Sequence, residues 1–195
     1  GDYAPADHVL VALRGFASDF ETLDQVYPFL AREGTGATVL PLSHPGSARS
    51  GDPLAGYSPA RRHLQQFLRD LDRKNVHVDI RMSQGDPTGQ IVGELTQRRY
   101  DLLVVAAEAE GEFVWRVLSR IDCEGNWPGR PVLVVAAHQC NWEWLMHAMA
   151  SQSGFPVDAA YKPLKNPWAN REMLTLRTRF GAQVRASVDN AVASA

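Results

Sequence analysis

The chain has 195 residues with 20 basic and 22 acidic side chains, and 45% of its residues are hydrophobic. This length allows one large domain or two smaller units around a sizeable core. The nearly balanced charge shows no bias toward nucleic acid or a membrane surface. No apolar run reaches the roughly 18 residues that span a bilayer, and no signal peptide is recognisable. Two isolated cysteines exclude a disulfide framework and a Cys-rich zinc site. We therefore expect a soluble cytoplasmic protein without a metal, and the non-Met start at Gly1 suggests a piece of a longer protein.

Short apolar runs alternate with helical patterns along the first part of the chain. Strands bounded by turn residues are predicted near 8–13, 37–42, 76–82, 101–106 and 131–136. Alternation of this kind predicts an α/β fold, with a mainly parallel sheet and helices on both faces. A further strand near 156–161 is expected to extend the same sheet. Pro41 indicates that the second strand ends early or lies near an edge.

Helices are expected between these strands, each with a recognisable start. Ser18 has capping-box spacing to Glu21, and Gly85-Asp86-Pro87 supplies a turn, a cap and a proline at the first helical position. The other predicted helices begin at Ser58 and Glu112. Residues 43–57, rich in Ser, Gly and Pro, indicate a long loop.

The run Val132 to Ala137 has the composition of a strand buried on both faces. It leads directly to His138, then to Asn141, which can cap a helix, and to Glu143. Open α/β sheets place ligand sites where such strands end. This turn is therefore the first candidate functional site.

Four segments resemble the universal stress protein family over residues 8–137. They are VLVAL in the first strand, QGDPTGQIVGEL at 84–95, YDLLVVAAE at 100–108 and RPVLVVA at 130–136. The resemblance implies a Rossmann-like α/β domain, which in that family also occurs as a cytoplasmic module attached to transporters and kinases.

The nucleotide-binding members of that family carry an acidic residue after the first strand and a glycine-rich loop after the fourth. In this sequence Arg14 stands at the acidic position, and the loop carries Glu108, Glu110 and Glu112. A phosphate site needs close approach to bare backbone N–H groups, and carboxylates would repel it. We therefore expect no ATP site and no cofactor.

Residues 136–186 resemble the late acyltransferases of lipid A assembly, in the lysophospholipid acyltransferase superfamily. HQCNWE at 138–143 matches the family's His-x4-acid motif, and YKPLKNP at 161–167 matches its acceptor-side segment. The resemblance implies acyl transfer from an acyl-carrier-protein thioester to a lipid hydroxyl. His138 would be the base, and Glu143 would orient it.

The chemistry of these side chains suits that reaction. Imidazole can accept the hydroxyl proton near neutral pH, and a carboxylate can fix its tautomer and stabilise its cation. Lys162, Lys165 and Arg171 are candidates to hold an acceptor phosphate. The remaining substrate-binding candidates are Asn141, Tyr161 and Asn166.

Simpler interpretations of the same residues stay open. His138 is equally consistent with a solvated turn residue, and Glu143 with a carboxylate that favours a helix start. His147, amid Leu145 and Met146, is expected to be structural. The family's later blocks and N-terminal anchor are not recognisable in this sequence, so we expect an acyltransferase relic without turnover.

Three hypotheses about function remain. The first is a regulatory or scaffold domain of universal stress protein type (residues 1–137) without a competent ATP site, which carries an acyltransferase-derived extension (residues 138–195). The second is a genuine acyltransferase, present as a fragment, with an acyl carrier protein and a lipid acceptor as partners. The third is an engineered or recombined chimera joined at the VLVVAA strand. A homodimer is compatible with the first hypothesis. A location at the periphery of the inner membrane is compatible with the second. Nucleic acid is not an expected partner.

Overall fold

A computed structural model describes residues 7–14, 18–31, 35–42, 61–81, 85–107, 112–123, 130–136 and 142–186. The chain divides into two compact units, Gly1–Cys140 and Asn141–Ala195. The predicted loop at 43–57 and the predicted helix start at Ser58 lie outside the described residues. Within the described ranges, no helix combines the length and apolar character needed to cross a membrane.

The first unit is built on a five-stranded sheet in which every pair of neighbouring strands is parallel. Its strands are β1 (His8–Leu13), β2 (Gly36–Pro41), β3 (Val78–Ile80), β4 (Leu102–Ala107) and β5 (Val132–Ala136). Their spatial order is β3-β2-β1-β4-β5. This is the strand order of Rossmann-like doubly wound sheets.

Four helices connect these strands: α1 (Ser18–Leu30), α2 (Arg61–Arg73), α3 (Pro87–Gln97) and α4 (Glu112–Cys123). Right-handed crossovers in this strand order place α1 and α2 on one face and α3 and α4 on the other. The contacts agree, since α1 packs beside α2 and α3 beside α4. The predicted α/β fold class, with a parallel sheet and helices on both faces, is confirmed.

The apolar residues of β1 explain why this strand lies at the centre. All residues from Val9 to Leu13 are buried, so both faces of the strand are covered. Val9, Val11 and Leu13 share one core cluster with apolar side chains of α1 and α2. Burial of each such side chain contributes about 1.5–3 kcal/mol. The sheet and its helices are therefore held together mainly by apolar contacts.

The start of α3 follows the predicted turn. Gly85 has a φ of 122°, and Asp86 is the N-cap, with its Oδ1 accepting a 3.0 Å hydrogen bond from the N–H of Gly89. Pro87 occupies the first helical position, where its missing N–H costs nothing. The local chemistry of Gly-Asp-Pro thus determines where the helix begins.

The expectations about strand environment had mixed outcomes. β2 ends at Pro41, one residue before the predicted end at 42, as the early-end alternative expected. The edge alternative was wrong, because β2 lies between β1 and β3. The expectation of a doubly buried β5 was also wrong. β5, predicted to be buried on both faces, is the outermost strand of the sheet; Leu133 is 40% exposed and Val134 is half-buried. An apolar β-branched run has the same composition in an internal strand and at an edge, and only the neighbours distinguish the two.

The second unit contains α5 (Trp142–Gln152), β6 (Asp158–Tyr161), α6 (Pro167–Thr178) and β7 (Gln183–Ala186). β6 and β7 pair in parallel as a separate two-stranded sheet, with Asp158 opposite Gln183 and Tyr161 opposite Ala186. The strand predicted near 156–161 therefore exists, but the expectation that it extends the main sheet was wrong. β6, α6 and β7 form a crossover unit of their own, so β6 obtains its hydrogen bonds from a strand later in the chain.

A polar network lies at the amino ends of the central strands of the first unit. Tyr100 is completely buried, and its hydroxyl donates a 2.6 Å hydrogen bond to Glu94 Oε1. The His8 ring meets the Tyr100 ring edge-on at 5.1 Å, and its Nε2 lies 3.0 Å from Thr38 Oγ1. Burial raises the pKa of Tyr100 well above its ordinary value, and the bond to the Glu94 carboxylate raises it further.

This raised pKa predicts how stability changes in alkali. The folded state keeps the Tyr100 proton after the unfolded chain, with a tyrosine pKa of about 10, has released it. The free energy of unfolding should therefore fall as pH rises above about 10. In Tyr100→Phe the free energy of unfolding should fall less in alkali. At neutral pH it should be lower than in the parent chain by about 1–3 kcal/mol, because Glu94 loses the hydrogen bond from the hydroxyl. Denaturant titrations at neutral and alkaline pH test this, and an unchanged alkaline slope in the variant would contradict it.

Candidate functional site

The carboxyl ends of β1 and β4 define the crevice where a sheet of this order seats its ligands. β1 leads to β2 on one side, while its other neighbour, β4, leads away to β5. The connections therefore diverge between β1 and β4, and open α/β sheets bind ligands beyond the carboxyl ends of the strands at such a point. Any ligand of the first unit is expected there.

Arg14, the residue after β1, makes a hydrogen bond and a ring contact at this edge. Its backbone N–H donates a 3.1 Å hydrogen bond to Oδ1 of Asp19, a buried residue of α1. Its guanidinium carbon lies 4.2 Å from the ring centre of Phe113, in the first turn of α4. Phe113 is itself buried. A guanidinium over a ring at this distance is a favourable cation–π contact, so Arg14 links the segments that follow β1 and β4.

The acidic loop predicted to repel phosphate is described only at its end. Glu108 and Glu110 lie outside the described residues. Glu112 begins α4, is exposed, and has its Oε1 3.8 Å from Nε of Arg116. That pair is exposed to solvent and adds little stability.

The second candidate site centres on an ion pair between α5 and α6. Glu143 Oε1 accepts hydrogen bonds from Nε of Arg177 at 3.0 Å and from Nη2 at 2.7 Å. The Arg177 side chain is 8% exposed and that of Glu143 34%. The guanidinium carbon also lies 5.0 Å from the Trp142 ring centre and 5.2 Å from that of Tyr161. The buried arginine is thus paired with one carboxylate and flanked by two aromatic rings.

This ion pair brings three separate segments of the second unit together. Glu143 starts α5, Tyr161 ends β6, and Arg177 lies near the end of α6. Charge-assisted hydrogen bonds of this length are about twice as strong as neutral ones. Glu143, predicted to orient His138, is therefore held by an arginine that the sequence interpretation missed. The available signal was helical spacing, because Arg177 lies three residues after the half-buried Leu174 on the inner face of α6.

A second contact lies one turn further along α5. The His147 ring meets the Phe180 ring at 5.1 Å, with the two planes inclined by 70°. Among the described residues, His147 Nδ1 is buried without a hydrogen-bond partner. The expected structural role of His147 stays a prediction.

The remaining predicted site residues take different positions. His138 and Asn141 lie outside the described residues. Asn166 is the N-cap of α6, where its side-chain oxygen accepts from the N–H groups of Trp168 and Ala169 at 2.9 and 3.1 Å. Its substrate-binding role stays a prediction, but that oxygen already caps a helix.

The three candidate phosphate-binding cations, Lys162, Lys165 and Arg171, are exposed. Of the substrate-binding candidates within the described ranges, only Tyr161 lies in the ion-pair cluster. Across the same ranges, no group of three or more His, Cys, Asp or Glu side chains is placed to hold a metal ion. The chemistry available here is thus that of a fixed carboxylate beside a buried cation.

Comparisons with known proteins find structural likeness and no sequence relatives. No family model and no curated protein matches the chain. A universal stress protein solved in complex with cAMP has 18% identity and a TM-score of 0.47, over 70% of this chain and 99% of its own. A universal stress family protein from Burkholderia pseudomallei has 18% identity and a TM-score of 0.49, over 70% of this chain and all of its own. The fold class defined by the strand order is a Rossmann-like α/β domain.

The Glu143–Arg177 pair predicts a large effect on the stability of the second unit. Arg177→Met removes both hydrogen bonds and leaves a half-buried carboxylate, and it should cost about 1.5–3 kcal/mol. Glu143→Gln keeps an acceptor oxygen and should cost less. The double variant should be more stable than the sum of the single losses predicts, because neither charge is left without its partner.

Denaturant titration, with hydrogen exchange of α5 and α6 amides to isolate the second unit, measures these losses. Arg179→Met, at the exposed residue that follows the last turn of α6, is the matched control and should change stability by about 0.5 kcal/mol or less. Additive effects of the two pair substitutions would show that Glu143 and Arg177 are not coupled.

Proposed function

We propose that the first unit is a regulatory or scaffold domain of universal stress protein type without an ATP site, and that the second unit derives from an acyltransferase. The observation that supports the first part is the contact between Arg14 and Phe113 at the carboxyl ends of β1 and β4. A cation and a ring meet across the edge where this fold class places ligands.

Arg14 is chemically unsuited to the role of the acidic residue that it replaces. A carboxylate accepts hydrogen bonds, whereas a guanidinium has donors only. Arg14 therefore cannot accept bonds from the hydroxyls of a ribose. Its guanidinium also lies against Phe113, so a nucleotide would have to displace a favourable contact before binding.

The acidic start of α4 adds an electrostatic argument. A helix N-terminus favours an anion through its free N–H groups and its dipole. At α4 this position carries the exposed carboxylate of Glu112. A phosphate that approached the N-terminus of α4 would meet a like charge. A domain with this edge is better suited to acting through contacts with other proteins than through nucleotide hydrolysis.

Acyl transfer is the second candidate function, and the Glu143–Arg177 pair favours it. His138 is five residues before Glu143 in the sequence, and a histidine that acts as a base needs a fixed acceptor to orient its ring. Glu143 Oε1 accepts both hydrogen bonds from Arg177, so a base would have to bond to Oε2. Arg177 would then serve as a positioning residue for Glu143.

Two observations weigh against turnover by the chain as it stands. Lys162, Lys165 and Arg171 are exposed, and the Asn166 side-chain oxygen caps α6. An acceptor lipid needs groups that converge on it, because a correctly held geometry supplies much of the rate. We therefore favour the relic over the active acyltransferase. The recombined chimera stays a prediction that no contact in the fold decides.

The first proposal predicts that ATP does not bind in the micromolar range. Isothermal titration of ATP into the purified protein should give no saturable heat, and Arg14→Ala should give the same result. Saturable micromolar binding by the parent chain would overturn the proposal. Loss of such binding in Arg14→Ala would further show that Arg14 is a phosphate ligand.

The second proposal predicts no acyl transfer from an acyl-carrier-protein or coenzyme A thioester to a lipid A precursor. Thin-layer separation of acylated lipids should show no product with the parent chain. His138→Ala is the matched control for chemistry, and Arg177→Lys for the positioning of Glu143. Product that forms with the parent chain and is lost in His138→Ala would establish an acyltransferase.

A further inference from the structure

The outer face of α6 exposes large apolar side chains beside cations. Trp168 is 67% exposed and Leu176 48%, and Leu164, just before the helix, is 43% exposed. Leu164 is held to the helix because its N–H donates a 3.0 Å hydrogen bond to Asn170 Oδ1. Three of the exposed large apolar residues of the described chain are thus carried by one helix and the segment folded onto it.

Helical spacing places the cations on the same face. Arg171 and Arg179 are exposed and lie three and eleven residues after Trp168, within about 60° of it at 100° per residue. Lys165, also exposed, precedes the helix cap. Glu172, the exposed carboxylate of this helix, lies on the same face about 40° from Trp168, so one acidic side chain stands among three cations. The face therefore carries net positive charge, although the chain as a whole is nearly neutral.

The opposite face of α6 is already used for packing. Arg177 is buried against Glu143, and Met173 and Leu174 are half-buried. The orientation of α6 is thus fixed by contacts within its own unit. The exposed Trp and Leu side chains are consequently held outward by a rigid helix.

We propose that the outer face of α6, formed by Leu164, Lys165, Trp168, Arg171, Leu176 and Arg179, docks on a bilayer that contains anionic lipids. Indole rings prefer the boundary between headgroups and acyl chains, and leucines add buried apolar area. Lysine and arginine near an anionic surface each contribute enough attraction for about a fivefold gain in affinity.

A bilayer fits this face better than nucleic acid. Single-stranded nucleic acid is bound by a cationic groove with several aromatic stacking platforms. The outer face of α6 offers one aromatic ring and Leu176, with Leu164 exposed in the segment just before the helix. Burial of aliphatic side chains at the edge of the hydrocarbon region is favourable, and nucleic acid offers no such apolar region. The inference does not depend on either candidate function.

Vesicle flotation with the whole purified chain tests the proposal. The protein should float with vesicles that mix phosphatidylglycerol and phosphatidylcholine, and not with pure phosphatidylcholine. Trp168→Ala should weaken binding about tenfold, as loss of buried aromatic area implies. Lys165→Glu with Arg171→Glu should weaken it more than tenfold and remove most of its salt dependence.

Trp144→Ala is the matched control, because Trp144 is 71% exposed but lies on α5. It should leave flotation unchanged, and circular dichroism should show that every variant is folded. Absence of flotation with anionic vesicles would overturn the proposal. So would an equal loss of vesicle binding in Trp144→Ala and Trp168→Ala. Binding to single-stranded RNA in place of vesicles, lost in the same variants, would assign the face to nucleic acid and overturn the bilayer.

Discussion

Parallel pairing is the constraint on which the first unit depends. Parallel neighbours cannot be joined by tight turns, so each connection must cross a face of the sheet, and here each crossover contains a helix. Both faces of the central strands are then covered, which is why β1 and β4 consist almost entirely of buried apolar residues. The same constraint makes the connections diverge between β1 and β4. Parallel pairing therefore determines both how the core packs and at which edge of the sheet a ligand is expected.

At that edge of the sheet, the side chains decide whether a nucleotide can bind. Arg14 contacts Phe113 and, through its backbone, Asp19, so the segments after β1 and β4 are joined by protein contacts. A fold that can hold a nucleotide need not do so, because binding requires acceptors and bare N–H groups at specific positions. The proposed regulatory role rests on this difference between the architecture and the side chains at its edge.

In the second unit one helix carries two unrelated features. The inner face of α6 holds Arg177 against Glu143, which fixes the carboxylate at the start of α5 and ties α6 to it. The outer face leaves Trp168 and Leu176 exposed among cations. Because the inner face is fixed by a buried ion pair, the outer face is presented as a rigid surface. Its proposed role at a bilayer therefore does not depend on the proposed acyltransferase origin of the second unit.

Local chemistry alone predicted the strands of the main sheet, whereas α6 and β7 of the second unit were not predicted. Apolar runs located the strands of the main sheet, Asp86 and Pro87 located the start of α3, and their alternation predicted the parallel sheet, because these signals act within a few residues. Tertiary structure decided which strand is an edge, which partner β6 takes and which side chain holds Glu143. The apolar run of β5, in which Leu133 is exposed, would have the same composition in an internal strand. Arg177 lies 34 residues from the carboxylate it binds. Such choices depend on which segments meet in space. Periodicity can indicate which face of an element turns inward, but it does not identify the partner on that face.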